Sequence, residues 1–272
     1  MSTVRDFRVA TVGDCCIDHY QDQGWFPGGN ALNVAVAWNG LGANASYMGP
    51  VGDDEAGAWL RAEILRAGLD DSLIETLPGA TGLTELSLDE DGEKQILAEH
   101  FGVSEAFAPD PSNIAVLGHT DWVHGSLSPN AADLIRDFRV DRRGLSFDFS
   151  VRPVTEGLEG LDVAFYSWEG EPGPETDALL ESALQGGAKI AVAMCGRHGS
   201  RARGTGESVS VAGNEIQAVD TCGAGDSFIA HFVIAHLEGS SLEAAMQAGT
   251  KAGEEMCRNL GAWLNHRPEK VA

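Results

Sequence analysis

Asp220-Thr221-Cys222-Gly223-Ala224-Gly225-Asp226 runs straight into Ser227-Phe228-Ile229-Ala230-His231-Phe232-Val233-Ile234-Ala235-His236-Leu237, an apolar segment followed by Gly239. The segment predicts a buried helix ended by Gly239, and two glycines ahead of it let backbone approach a ligand closely. Free N–H groups in a first helical turn, with the helix dipole behind them, favour an anion. A carboxylate at Asp226 would be repelled by a phosphate bound there, unless it accepts a proton from the group attacking that phosphate. Acids are also common in first turns for electrostatic reasons alone. The heptapeptide by itself leaves both readings open.

Working back from this loop, the chain alternates strands and helices. Phe7 to Gly13 reads as a short apolar strand, and Asp14-Cys15-Cys16-Ile17-Asp18 continues from its end. Ligands of α/β sheets bind at the carboxyl ends of strands, and paired carboxylates such as Asp14 and Asp18 suit sugar hydroxyls, which donate hydrogen bonds. A polar strand end or a turn is the alternative. Gly28-Gly29-Asn30-Ala31-Leu32-Asn33 then leads into an uncharged Ala/Val-rich helix, where Asn33 needs partners if it is buried. Those partners are a backbone group or a ligand hydroxyl. Ala45 to Gly52 predicts the next strand, and Asp53-Asp54 opens an amphipathic helix.

Thr81 to Glu99 departs from this rhythm. Alternating residues around an Asp89-Glu90-Asp91-Gly92-Glu93 turn predict a β-hairpin, suited to a lid over a site or a dimer surface. From residue 110 strands at Trp122–His124, Leu145–Phe149, Val163–Tyr166 and Ile190–Met194 alternate with helices at Ala131–Phe138, after Pro129, and Ala178–Leu184. Such a rhythm means βαβ units and a largely parallel sheet. Cys195 to Ser200 turns after the last of these strands, and its glycines leave room for a nucleotide. Ser240 with Glu243 predicts a capping box for a final helix from Leu242 to about Leu260. No linker, repeat or low-complexity tract interrupts the pattern.

Bulk properties restrict function further. A chain of 272 residues buries a large core as one domain or a domain with an appendage. The net charge of -23 argues against nucleic acid and means that an anionic substrate needs a metal ion or oriented N–H groups. Five cysteines without a CxxC pair argue against a disulfide framework or structural zinc. The start of the chain passes from Met1-Ser2-Thr3 into a strand-like run, with no signal-peptide pattern and no span-length apolar stretch. A cytoplasmic protein with no membrane partner is therefore expected.

Taken together, these motifs resemble the ribokinase-like (PfkB) carbohydrate kinases. The heptapeptide Asp220 to Asp226 fits the DTxGAGD signature, and Gly28 to Asn33 followed by Gly49-Pro50-Val51-Gly52-Asp53-Asp54-Glu55-Ala56-Gly57 resembles the N-terminal signature. Within the family the chain is similar to fructoselysine 6-kinases (fructosamine kinases). Gly13 to Asp18, Gly28-Gly29-Asn30, Phe147-Asp148-Phe149-Ser150 and Gly261-Ala262-Trp263 carry that narrower likeness. The resemblance implies an α/β fold, a three-layer sandwich with a largely parallel central sheet and a small β lid. It implies one kinase domain over residues 1–272, with lid elements at roughly 14–28 and 81–101.

The resemblance also implies roles. Asp226 would be the general base, with the N–H groups of Gly223, Ala224, Gly225 and Asp226 forming an anion hole for the transferring phosphoryl group. Asp14, Asp18, Gly28, Gly29 and Asn33 would hold the sugar. Gly196, Gly199, Asp220, Thr221 and Thr250 would border ATP, and a monovalent cation (K+) near Asp220 is a family feature. The lid would pair in a homodimer. Two motifs depart from the pattern. The NxxE motif for Mg2+ reads Ser167-Trp168-Glu169-Gly170-Glu171, leaving Glu169 or Glu171 as substitutes, and the DxNxR pattern reads Asp148-Phe149-Ser150-Val151-Arg152.

The expected reaction is transfer of the ATP γ-phosphoryl group to a primary hydroxyl of a fructosamine such as fructoselysine, giving the 6-phosphate. Its cationic tail would suit Glu85, Glu99 or Asp14, while Trp25, Phe26 and Trp168 suit either the pocket or core packing. The alternatives are a kinase for fructose, ribose or another small sugar, and a sugar- or nucleotide-responsive regulator with weak turnover. A dinucleotide-dependent dehydrogenase is disfavoured because no GxGxxG follows the first strand.

Overall fold

A computed structural model of the chain describes residues 4–21, 23–89, 92–127, 131–138, 144–204, 206–264 and 266. In chain order its first half contains β1 (Arg8–Val12), β2 (Cys16–Tyr20), β3 (Gly24–Gly28), α1 (Asn30–Gly40), β4 (Asn44–Gly52), α2 (Glu55–Arg66), β5 (Ile74–Leu77), β6 (Gly82–Leu88) and β7 (Lys94–His100). After these come α3 (Pro111–Val116), β8 (Trp122–Ser126), α4 (Ala131–Phe138), β9 (Gly144–Asp148), β10 (Val163–Ser167), α5 (Pro174–Gln185) and β11 (Ile190–Met194). The chain closes with β12 (Ser200–Gly204), β13 (Glu207–Val211), α6 (Ala224–Leu237) and α7 (Leu242–Met256).

Nine strands form the large sheet in the order β13-β12-β11-β10-β9-β8-β1-β4-β5. All pairs from β11 to β5 are parallel, and β12 and β13 add an antiparallel edge. Because side chains alternate along a strand, each strand serves two cores. Val163 and Phe165 of β10 join Phe228, Phe232 and Val233 of α6 on one face. On the other face Ala164 and Tyr166 meet Ile135 and Phe138 of α4 and Leu180 of α5. The result is three layers, with α1, α6 and α7 on one side and α4 and α5 on the other.

A second, four-stranded sheet runs β3-β2-β6-β7. It joins the segments expected at 14–28 and 81–101, with β6 antiparallel to β7 and parallel to β2. Asp18 therefore lies within β2, paired with Phe26 and Thr84, and not at the end of the first strand as its sequence neighbourhood suggests. Glu90 and Asp91 of the hairpin turn and Pro129 lie outside the described residues.

Two local expectations are corrected. The cap of α7 is Ser241, whose hydroxyl accepts from Ala244 N, and not Ser240. The same helix stops at Met256 and not near Leu260. Its Cys257 carbonyl accepts from Val219 N, and the chain turns so that Gly261 N reaches Asp220 Oδ2 at 2.8 Å. Only Gly223 precedes α6, since Gly225 already belongs to its first turn.

Candidate active site

Asp226 enters the site from the first turn of α6. Gly223 caps that helix in the left-handed region (φ 74), and a Cβ there would lie 2.7 Å from the Cα of Ala262, so no other residue fits the turn. A Cβ on Gly225 would meet nothing closer than Met194 Cε at 3.5 Å, which leaves room beside the helix start for a ligand. The Ala224 N–H is turned toward Thr221 O at a long 3.4 Å.

Asp226 is 8% exposed. Burial pushes its carboxyl up to about 8; the Asn33 hydrogen bond and Lys94 act the other way, while Asp148 and Asp14 add to the rise. Asn33 Nδ2 donates to Asp226 Oδ2 at 2.8 Å, and Trp263 Nε1 donates to Asn33 Oδ1 at 2.9 Å. The indole N–H can pair only with the amide oxygen, so it points the Asn33 amino group at Asp226.

Around Asp226 lies a pocket of about 610 Å³, counting its open mouth, between the large and small sheets. Asp14, Asp18, Gly29, Asn33, Gly223 and Asp226 all line it. Asp18 accepts from the thiols of Cys16 (3.5 Å) and Cys222 (3.4 Å), and burial pushes it up to about 6. Asp14 is engaged elsewhere as well: its oxygens accept from Asn30 N at 2.9 Å, Ala31 N at 3.4 Å and Ser126 Oγ, which fixes the start of α1.

Other expected site residues lie outside the pocket wall. A Cβ on Gly28 would come 2.3 Å from Asp18 Oδ2, so this glycine makes space for that carboxylate. Asp220, fully buried, accepts from Tyr20 OH (2.5 Å), Cys222 N (2.9 Å) and Gly261 N (2.8 Å), and so fastens the loop to β2 and the C-terminal segment. Thr221 ties the loop to the hairpin, donating its N–H to Gly92 O and accepting from Lys94 N, both at 3.1 Å.

Gly196 (φ 54) has open space around it, whereas Gly199 is required by the backbone of Val211 only 2.0 Å from its would-be Cβ. Thr250 Oγ1 lies 3.0 Å from Ser200 Oγ, which brings α7 to the turn after Gly199.

Glu169 and Glu171 are exposed beyond the end of β10 and do not line the pocket. Among the described residues no group of three or more His, Cys, Asp and Glu could hold a metal ion. Trp25 meets Trp59 edge-on, Phe26 lies in the core beside α1 and α2, and Trp168 packs against the separate core beside α4 and α5; the aromatic on the pocket wall is Phe101. Of the acids suggested for a cationic tail, Glu99 and Asp14 line the pocket and Glu85 does not.

Lys94, Asn30 and Trp263 were not singled out for the site from sequence. Lys94 is the first residue after an acidic hairpin turn, a lone basic residue in that turn region, which is the signal that could have found it. Asn30 donates to Asp148 Oδ2 at 2.9 Å, while Ser150 holds the other oxygen of that carboxylate through N and Oγ.

The family model for pfkB family carbohydrate kinases matches residues 3–129 and 165–268, and the chain belongs to that family. It is thus an ATP-dependent sugar kinase, a phosphotransferase with a sugar hydroxyl as acceptor. The chain is 33% identical over 264 residues to a fructoselysine 6-kinase of Shigella flexneri, covering 94% of this chain and 99% of that one. It is 29% identical over 264 residues to a fructosamine kinase of Bacillus subtilis, covering 94% and 93%. The fold is ribokinase-like. Arabidopsis thaliana ribokinase, solved with ribose and ATP, superposes with a TM-score of 0.78 at 20% identity, covering 94% of this chain and 94% of that one. No helix among the described residues is long and apolar enough to cross a membrane.

Proposed function

We propose that this kinase transfers the γ-phosphoryl group of ATP to the 6-hydroxyl of fructoselysine or a related fructosamine, with Asp226 as general base. The observation that carries the reading is the buried Asp226 carboxylate at the start of α6, held by Asn33 and pushed up to about 8. A carboxylate in that range can accept a hydroxyl proton near neutral pH, and it sits where helix N–H groups face an incoming anion. The acceptor oxygen bonds to the γ-phosphorus as its proton passes to Asp226, and the bond from that phosphorus to the ADP oxygen breaks. Gly223, Ala224, Gly225 and Asp226 supply the N–H groups that stabilise the transferred charge.

Asp18, Gly29 and Asn33 bind the sugar in this reading, and the small sheet acts as the lid. Mg2+ neutralises phosphate charge when ATP is bound. Glu169 and Glu171 would reach it through water, being exposed beyond β10. Glu99, on the pocket wall with its carboxyl pushed up by burial, is the acid suited to the cationic amine. Identity to two kinases named for fructoselysine and fructosamine supports that substrate class. ADP release with Mg-ATP, measured across fructoselysine, other fructosamines, fructose and ribose, tests it. Preference for fructose or ribose would remove the fructosamine assignment and keep the kinase. Asp226→Asn should abolish turnover with sugar binding retained; comparable loss of both would sink the base role.

A further inference from the structure

The pocket wall is acidic. Asp14, Asp18, Glu99 and Asp226 all contribute to it, and the chain as a whole carries -23. Among the described residues that line the pocket, Lys94 is the one lysine or arginine. It comes from the small sheet, as the first residue of β7, and the backbone around it is fastened to the loop that starts α6. Lys94 N donates to Thr221 Oγ1 and Gly92 O accepts from Thr221 N, each at 3.1 Å. Gly92 sits so close that a Cβ would lie 2.6 Å from Ala218 O, and the neighbouring Glu93 pairs with Arg197 at 3.7 Å. Gly92 and Lys94 thus have a defined seat on the same loop that carries Gly223 and Asp226.

The charge of Lys94 acts on the groups around it. Cys222, Asp18, Asp226 and Asp220 hold its ammonium above the usual lysine range, and Glu99 on its own strand feels it as well. The Lys94 side chain is exposed, so water screens the attraction. An ammonium that never loses its proton is useless as a base and well suited to oppose developing negative charge.

We propose that Lys94 is a catalytic cation supplied by the small sheet, facing both Asp226 and the phosphoryl group in flight once Gly92 and Lys94 are seated on Thr221. The inference rests on the reading of Asp226 as base for its pH arm only; its phosphoryl arm rests on the kinase chemistry alone. In the transfer step the hydroxyl proton goes to Asp226, the new oxygen–phosphorus bond forms and the bond to ADP breaks. Lys94 stays protonated throughout and contributes charge and hydrogen bonds. A hairpin lifted off Thr221 would take the cation away and leave Asp226 more readily protonated. Phosphoryl transfer then becomes conditional on the closed arrangement, which disfavours transfer to water from an open site.

The test uses Lys94→Met, which keeps the stem without the charge, and Lys94→Arg, which keeps a charge. With fructoselysine and Mg-ATP we expect kcat of Lys94→Met to fall about 100-fold, with the sugar KM within about threefold. The acidic limb of kcat/KM should move up by ~0.5 pH unit or more, because Asp226 then faces Asn33, Asp148 and Asp14, with Asp18 on the same wall, without a cation, His100 being the remaining titratable base on that wall. Lys94→Arg should recover activity to within about tenfold of the parent, which a purely structural lysine with a lost fold would not do.

Calorimetric titration of the sugar-bound protein gives a readout apart from turnover. The affinity for ADP with aluminium fluoride should drop about tenfold or more in Lys94→Met, and that for ADP alone by less than about twofold. A kcat within about threefold of the parent, or a loss confined to KM, would overturn the proposal. Turnover that survives Asp226→Asn would remove the base reading and the pH arm, while the kcat and aluminium fluoride results would still decide the role of Lys94.

Discussion

Asp226→Asn should make the protein more stable while it destroys activity, and only above acidic pH. Asp226 has a reference value of 3.8 and is pushed up to about 8 in the folded chain, chiefly by burial. The unfolded chain therefore releases this proton near pH 4, whereas the folded chain keeps it until about pH 8. Stability linked to this group is fully present below the unfolded value and is lost as pH rises through the folded one. A shift of about 4 units at 1.36 kcal/mol each sets a ceiling of ~5–6 kcal/mol above pH 8 and ~4 kcal/mol at pH 7. Coupling to Asp148 and Asp14 shares that penalty, and we expect about 2 kcal/mol to be recovered. The Asn side chain can still accept the Asn33 hydrogen bond through its oxygen, so the Asn33 amino group keeps its partner. For a chain of this size the gain corresponds to a Tm higher by about 4–8 °C. Differential scanning fluorimetry of both proteins, from about pH 5 to about pH 9, reads it directly. The Tm difference should be largest at the alkaline end and close toward pH 5, where both side chains are neutral. An unchanged or lower Tm for Asp226→Asn at pH 8 would refute the argument that burial of this carboxylate is held at the expense of stability.

The parent enzyme should gain kcat/KM as pH rises through about 8, because the base works only when deprotonated; a profile flat down to about pH 6 would show that Asp226 loses its proton far more easily than its surroundings imply. Trp263→Phe removes the indole donor to Asn33 Oδ1 and leaves a buried acceptor unpaired, at about 1–3 kcal/mol. Turnover should fall about tenfold and the acidic limb should move up as the Asn33 amide ceases to face Asp226, so a stable variant with parental kinetics would contradict that relay. Glu99→Gln should raise KM for fructoselysine by about tenfold and leave fructose within about twofold; equal effects on both sugars would take Glu99 away from the amine.

Much of this molecule is legible along the chain. Val163 to Tyr166 and Ile190 to Met194 read as buried strands because short apolar runs between turn residues have few other places to go. The hairpin over 82–100 shows in its alternation and its acidic turn. The helix after Gly225 follows from its composition. The antiparallel hairpin of β12 and β13 is not legible in the sequence, since Ser200-Arg201-Ala202-Arg203-Gly204 is weakly apolar and owes its strand state to pairing with β11. Ser240 and Ser241 are equivalent cap candidates by composition, and only the extended backbone at Ser241 (φ -63, ψ 159) separates them.

For the site, the sequence by itself determined the chemistry at hand: a glycine turn, a helix start and an acid within its first turn, all set by neighbours within seven positions. Tertiary structure decided what each of those residues is used for. Asp220 belongs by sequence to the same motif as Asp226, yet Tyr20 and Gly261 claim it as an anchor. The Trp263–Asn33–Asp226 chain joins residues 230 and 193 positions apart. Lys94 meets Thr221 across 127 positions. Propensity and periodicity act over one or two helical turns, whereas these contacts exist only once two sheets and two helical layers have packed.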